Sequence, residues 1–228
     1  MKVPPPLSVT WEMKQLSSAT TSFDQLPDGR TEMRIEHEVI RGVTPAMLVW
    51  WFRSFPTARL EHDGRLVQMY RIWHPRDHIR LQVVRRPRDR SPGVSKGARI
   101  VISEVIGDRP TRTRAKVAQM DEGGLHLIVR RLGLKVGDLR HTFSESPEGT
   151  LYRSRLVVGS GLPLVGAWLN AVIRRRMFTP EMGRAWLKHN VEEVGNLEFF
   201  LPKLYERRPD RLQPAEAGGV ASAHARRK

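Results

Sequence analysis

The chain has 228 residues, of which 39% are hydrophobic, and this is enough for the core of one domain of moderate size. It contains no Cys, so disulfides and thiolate metal ligands are excluded, and no apolar run reaches the roughly 20 residues of a membrane-spanning helix. The net charge is +15, but the arginines are scattered along the chain instead of forming one stripe interleaved with aromatic side chains, so we expect no specific nucleic-acid partner.

The first part of the chain, residues 1–30, is rich in Pro, Ser and Thr and is predicted to wrap the surface of the domain. It lacks the apolar stretch of a signal peptide, so we expect a cytoplasmic protein. Alternation of apolar residues over residues 32–40 predicts a strand. Thr44 followed by Pro45 predicts the capped start of a short apolar helix, which ends before Pro56.

A series of strands divided by Gly and Pro follows, and its spacing of about 8–14 residues predicts an antiparallel meander. The predicted strands are residues 66–73, 77–86, 98–106, 112–120, 125–132, 136–144 and 150–158. A helix is predicted over residues 164–177, and Thr179 with Pro180 predicts the start of a long last helix. This order is typical of an α+β domain, here residues 31–205, whose curved antiparallel sheet wraps around a C-terminal helix and leaves a ligand pocket between them. The tail, residues 206–228, has the basic, polar composition of a disordered segment.

The last predicted helix carries an imidazole and a carboxylate on its apolar face. His189 and Glu193 lie one turn apart in the stripe that includes Trp186 and Leu197. Burying both groups without partners would cost several kcal/mol. A divalent metal ion would satisfy both groups, as would a buried His–Glu hydrogen bond that only holds the core together, and the pair alone does not choose between these interpretations.

Strand alternation brings further titratable groups to apolar faces. Glu104 shares a face with Ile100, Ile102 and Ile106, and His141 shares one with Leu139 and Phe143. His74 falls on the face of Tyr70 and Ile72, while beyond Pro75 alternation turns Asp77 inward and leaves the choice between His74 and His78 open. Two His and two Glu without any Cys would form a site for Zn²⁺, with Fe²⁺ and Mn²⁺ as alternatives.

Four stretches of the sequence together resemble a known enzyme family. EHEVIRGVTPAMLVWWF, YRIWHPRDHI, LRHTFSE and WLKHNVEEVGNLEFFLPKLY occur in this order between residues 32 and 205 and resemble the 2,4-diacetylphloroglucinol hydrolase family, which includes phloretin hydrolase. The resemblance implies a Bet v 1-like (START-like) helix-grip fold. It also implies a zinc-dependent hydrolase that cuts the carbon–carbon bond between an aromatic ring and an acyl group.

The resemblance also implies a set of site residues. The family's metal ligands, two His and two Glu, would be His189, Glu193, Glu104 and either His74 or His78. The catalytic histidine outside the metal shell would be His141, and the substrate-binding tyrosines would be Tyr70 and Tyr152. We expect Asp77, on the same inward face, to contact the substrate as well.

We therefore expect a metal-dependent hydrolase of acylated phenols or related β-dicarbonyl compounds, with His141 as the proton shuttle. Its partner would be a small aromatic ketone, and a homodimer is compatible with the sequence. A non-catalytic helix-grip carrier of an aromatic or polyketide ligand is the first alternative, and it would purify without stoichiometric metal. A basic nucleic-acid-associated protein is the second, and binding that vanished at moderate salt and ignored sequence would mark the charge as incidental.

Overall fold

Nine strands form one antiparallel sheet in the computed structural model, which describes residues 1–208. The strands of this sheet are β1 (Thr20–Gln25), β2 (Thr31–Glu36), β3 (Ile40–Arg41), β6 (His78–Arg85), β7 (Arg99–Ile106), β8 (Arg109–Asp121), β9 (Gly124–Arg131), β10 (Leu134–Ser146) and β11 (Gly149–Val158), while β4 (Arg59–His62) and β5 (Arg65–Gln68) form a separate hairpin. Their order is β1-β2-β11-β10-β9-β8-β7-β6, with β3 beside β11. The meander from β6 to β11 agrees with the prediction, because each of these strands pairs with the next in the chain.

Within residues 1–208, one 3-10 turn (Leu16–Ser18) and four α-helices accompany the sheet: α1 (Pro45–Ser54), α2 (Tyr70–Trp73), α3 (Gly166–Arg176) and α4 (Pro180–Glu206). As predicted, α1 and α4 begin at Thr-Pro pairs, and the hydroxyls of Thr44 and Thr179 accept hydrogen bonds from the backbone N–H groups three residues on. The curved sheet holding a long C-terminal helix confirms the predicted helix-grip fold class. Among the described residues, no helix is both long and apolar enough to cross a membrane.

The long helix α4 is buried in the interior of the protein over most of its middle part. Every residue from His189 to Leu197 is buried, which is more than two full turns of the helix. Its Gly183 approaches β1 so closely that a Cβ atom there would lie 2.2 Å from the Phe23 ring. The interior position of this helix is what brings its polar residues into the space beneath the sheet.

The N-terminal segment joins distant parts of the fold. The Leu7 amide donates to the Pro75 carbonyl (3.0 Å), and the Trp11 indole donates to Asn196 Oδ1 on α4 (2.8 Å). The Asn196 amide in turn donates to the Trp73 carbonyl (2.9 Å). The sequence predicts residues 1–30 as a segment that wraps the surface. In the structure this segment also contains β1, an edge strand of the sheet. From residue 209 onward, the predicted tail lies outside the described residues.

One predicted strand is wrong in its second half. Residues 66–73 were expected to be extended, but only β5 is, and Tyr70 begins the single helical turn α2. This turn places Tyr70 and Trp73 in the same aromatic cluster, with ring centroids 6.2 Å apart. Strand alternation therefore does not decide where His74 and His78 point.

Candidate metal centre

Two strands and α4 bring four predicted ligands to one place. His78 begins β6 and pairs directly with Glu104 of β7, while His189 and Glu193 reach the same space from α4. Glu193 Oε2 lies 3.1 Å from His78 Nε2 and 3.8 Å from His189 Nε2. Glu104 Oε2 lies 3.9 Å and 3.8 Å from the same two nitrogen atoms.

The two imidazoles point their Nε2 atoms at these carboxylates. His78 Nδ1 donates to the Tyr70 carbonyl (2.9 Å) and His189 Nδ1 donates to Asp77 Oδ2 (3.1 Å), so the proton of each neutral ring is on Nδ1. Each Nε2 is buried and makes no hydrogen bond within residues 1–208. Lone pairs that face carboxylate oxygens at this range need a cation or a proton between them.

A divalent metal ion fits this arrangement. The donor atoms of His78, Glu104 and His189 all lie within 4.8 Å of one another. Ligand atoms around a tetrahedral zinc lie about 3.3–3.6 Å apart, and the four histidine-to-carboxylate separations given above run from 3.1 to 3.9 Å. Histidine ligands of metals donate their other N–H to a carboxylate or carbonyl, as His189 and His78 do. The donor set, two His and two carboxylates, suits zinc, iron or manganese.

A second group of possible ligands lies behind the first. His74, Asp77 and His189 also have donor atoms within 4.8 Å of one another. However, His74 Nδ1 accepts the Asp77 amide (3.1 Å), which leaves the proton on Nε2, and that nitrogen faces Asp77 at 3.3 Å and Glu192 at 3.4 Å. The His74 ring stacks on His189 at 4.4 Å. Both nitrogens of His74 are therefore engaged, which favours a supporting position for this residue.

Burial and charge shift the pKa values of the groups in this centre. Burial alone would lower the pKa of His189, but its hydrogen bond to Asp77 and the nearby charges of Glu193 and Glu104 raise it to about 8. Burial would raise the pKa of Glu193, but the contact with His78 and the charge of His189 lower it. Without metal, a proton on His189 therefore partly offsets the carboxylate charge.

An apolar cavity adjoins this centre. Its volume is about 60 Å³, and the carboxylate, imidazole and amide side chains in its lining are Glu104, His141, His189, Asn190 and Glu193. Its remaining lining is aromatic and aliphatic: Phe52, Phe55, Tyr70, Trp73, Leu81, Val94, Ile100, Ile102, Leu125, Leu127, Leu139 and Trp186. The predicted inward faces of β7 and β10 are thus found in the structure, with Glu104 and His141 both facing this space.

The three residues predicted to bind substrate lie in different positions. Tyr70 lines the cavity, donates its hydroxyl to Glu104 Oε2 (3.1 Å) and stacks on His78 at 3.9 Å. Asp77 is not in the cavity lining and instead accepts the bond from His189. The Tyr152 hydroxyl is buried without a hydrogen-bond partner among the described residues, beside the ring of His141 (5.2 Å).

Sequence reasoning missed several residues of this region. Asn190 donates to Glu193 Oε1, and Glu192 accepts from His74 and Lys188. Ser154 lies opposite His141 in the β10–β11 register and contacts its Nδ1 atom (2.9 Å). The helical spacings of Asn190 with Glu193 and of Lys188 with Glu192 could have been found from sequence. The contacts of His74 with Glu192 and of Ser154 with His141 depend on pairing between distant segments.

Residues 12–206 match the family model described as the DAPG hydrolase PhiG domain. None of the curated proteins searched matches the chain. Among solved structures, protein Ms6760 from Mycobacterium smegmatis is similar with 14% identity, 78% of this chain and 96% of that chain covered, and a TM-score of 0.45. A START superfamily protein from the same organism has 15% identity, covers 72% of this chain and 98% of its own, and has a TM-score of 0.40. With such TM-scores the helix-grip assignment rests on the topology of the chain itself.

Proposed function

Since this chain belongs to the DAPG hydrolase PhiG domain family, we propose that it is a metal-dependent hydrolase that cleaves the carbon–carbon bond between a phloroglucinol-type ring and an acyl group. The observation that carries the proposal is the pair of buried Nε2 atoms of His78 and His189, which have no hydrogen-bond partner within residues 1–208 and face two carboxylates near an apolar cavity. Burying two imidazoles and two carboxylates together costs folding free energy, and a carrier of aromatic ligands would have no use for such a cluster.

In this proposal His78, Glu104, His189 and Glu193 hold the metal, with zinc as the first choice. The bound ion would supply a Lewis acid that activates water and polarises the acyl carbonyl. Asp77 and the Tyr70 carbonyl fix the imidazoles of His189 and His78 in the tautomer that presents Nε2. The Tyr70 hydroxyl donates to Glu104 and the Asn190 amide donates to Glu193, and these hydrogen bonds orient the two carboxylates.

The cavity accounts for the choice of an aromatic substrate. Its aromatic and aliphatic walls would exclude water from the ring and hold it against the polar end at His141 and Glu193. When water adds to the acyl carbon and the carbon–carbon bond breaks, the electron pair stays on the ring carbon. His141, whose side chain lines the cavity and whose Nδ1 contacts Ser154, would give that carbon a proton from Nε2.

Metal content and turnover on one preparation test the proposal. Untagged protein is analysed for zinc, iron and manganese, then incubated with a monoacylphloroglucinol while the released carboxylic acid is measured. We expect about one metal ion per chain, activity lost with a chelator, and activity restored by the metal found. If zinc-loaded protein binds acylphloroglucinols but releases no acid from them, the carrier function replaces the hydrolase.

A further inference from the structure

One serine hydroxyl lies between two histidines at the polar end of the cavity. Ser154 Oγ is 2.9 Å from Nδ1 of His141 and 3.0 Å from Nε2 of His37. Ser154 and His141 are 2% and 3% exposed, whereas His37 is only partly buried, in the loop between β2 and β3. The three side chains thus form a continuous line that begins at the cavity wall with His141.

The hydroxyl couples the protonation of the two rings. A serine has one hydrogen, so it can donate to one imidazole while it accepts from the other. If Ser154 donates to Nδ1 of His141, then Nε2 of His141 carries a proton, and Nε2 of His37 must donate to Ser154. In the reverse arrangement all three hydrogens shift together, and Nε2 of His141 is bare.

A neutral His141 needs such a partner to act as an acid. Burial lowers the pKa of His141 to about 4, although the charge of Glu193 raises it slightly, so the ring is neutral near pH 7. A neutral imidazole that loses its Nε2 proton becomes a high-energy anion unless Nδ1 gains a proton in the same step. Ser154 is the group in contact with that Nδ1 atom.

We propose that Ser154 and His37 form a proton relay that supplies His141, and this inference rests on the proposed hydrolase function. As Nε2 of His141 gives its proton to the ring carbon, the Ser154 hydroxyl proton moves to Nδ1 of His141. The Nε2 proton of His37 moves to Ser154 Oγ, and Nδ1 of His37 takes a proton from water or a buffer acid. One proton enters at His37 and one leaves at His141, so the step is balanced.

Three variants separate a relay from a purely structural contact. Ser154→Ala removes the bridge, Ser154→Thr keeps the hydroxyl, and His37→Gln keeps a side-chain donor to Ser154 but cannot pass a proton. We expect kcat on a monoacylphloroglucinol to fall at least about tenfold in Ser154→Ala and His37→Gln, with KM and metal content near the wild-type values, and Ser154→Thr to retain most of the activity. A wild-type kcat in His37→Gln overturns the relay.

The imidazole ¹⁵N shifts provide a readout that does not depend on turnover. In the wild-type protein both histidines should carry the proton on Nε2, and His37→Gln should leave this tautomer of His141 in place. In Ser154→Ala nothing should hold His141 in the Nε2–H tautomer, so its ¹⁵N shifts should move toward the average of the two tautomers. An unchanged His141 tautomer in Ser154→Ala overturns the relay, whereas a wild-type protein that releases no acid refutes the proposed hydrolase and leaves the shifts to decide the hydrogen-bond order.

Discussion

Asp77 should control metal affinity without touching the metal. Its Oδ2 atom accepts from His189 Nδ1 at 3.1 Å, and the residue is 7% exposed. In Asp77→Asn the amide oxygen can still accept this bond, so the orientation of His189 is kept while the charge that makes its Nε2 a strong ligand is lost. The change therefore lowers the basicity of His189 while it keeps the hydrogen bond to that ring, and it also replaces the oxygen that accepts from Arg76 Nε (3.0 Å).

The expected loss of zinc affinity follows from what a carboxylate behind a histidine ligand contributes in other metal sites. Removing a carboxylate behind a histidine ligand lowers metal affinity by about 10–100-fold, which is about 1.4–2.8 kcal/mol of binding free energy. The upper part of this range is expected, because the bond is buried and the same hydrogen bond raises the pKa of His189 toward about 8. The variant should bind zinc with the same stoichiometry as the wild-type protein.

A chelator competition titration measures this difference directly. Asp138 provides a matched control, since it is 6% exposed and lies 3.1 Å from His126 Nε2, but on β10 and away from the cavity. Asp138→Asn should change the melting temperature and leave the zinc affinity unchanged. Equal zinc affinity in Asp77→Asn and the wild type, or equal weakening in both variants, would refute this account of the metal centre.

Three further predictions test other parts of the structure. His141→Ala should retain its metal but lose about 10²–10⁴ in turnover; loss of metal in this variant would instead make His141 a ligand. In chelator-stripped protein, His37 and His141 have pKa values lowered by burial to about 3 and about 4, below the ordinary value of 6.5. Their neutral forms therefore stabilise the fold fully above pH 6.5, and this stability should be lost as pH falls toward 4; a flat melting temperature between pH 7.5 and pH 5 would contradict this. In Gly183→Ala the new Cβ atom would lie 2.2 Å from the Phe23 ring, so this change should lower the free energy of unfolding by about 1–3 kcal/mol. A denaturant titration measures the difference, and unchanged stability would mean that β1 can move away from α4 at no cost.

The sequence was sufficient for the parts of the fold where one face is clearly apolar. β7 and β10 alternate regularly, so the inward positions of Glu104 and His141 could be predicted from parity. β1 was missed because its residues, TTSFDQ, lie at the sheet edge with none of them fully buried, and a strand without an apolar face gives no alternation. α2 was missed because its apolar run looks the same as a strand until the surrounding aromatic cluster is known.

The site was predictable to a similar extent. Helical spacing brought His189 and Glu193 together, and this part needs only local geometry. Our proposal of His78 rather than His74 as a ligand needed the α2 turn, and the unpartnered Nε2 atom of His78 became visible only with its Nδ1 bond to the Tyr70 carbonyl. Ser154 and His37 gave no signal, because they meet His141 through strand pairing and a loop that no periodicity describes.

The wide separation of the proposed ligands along the chain has a consequence for how the protein is made. His189 and its partner Asp77 are 112 residues apart, and the Trp11–Asn196 bond that helps hold α4 spans 185 residues. A chain still emerging from the ribosome can complete β6 and β7 but cannot complete this centre until α4 has been synthesised and has docked. Contacts of this sequence range form late and slowly, so tight metal capture should mark the last stage of folding rather than nucleate it.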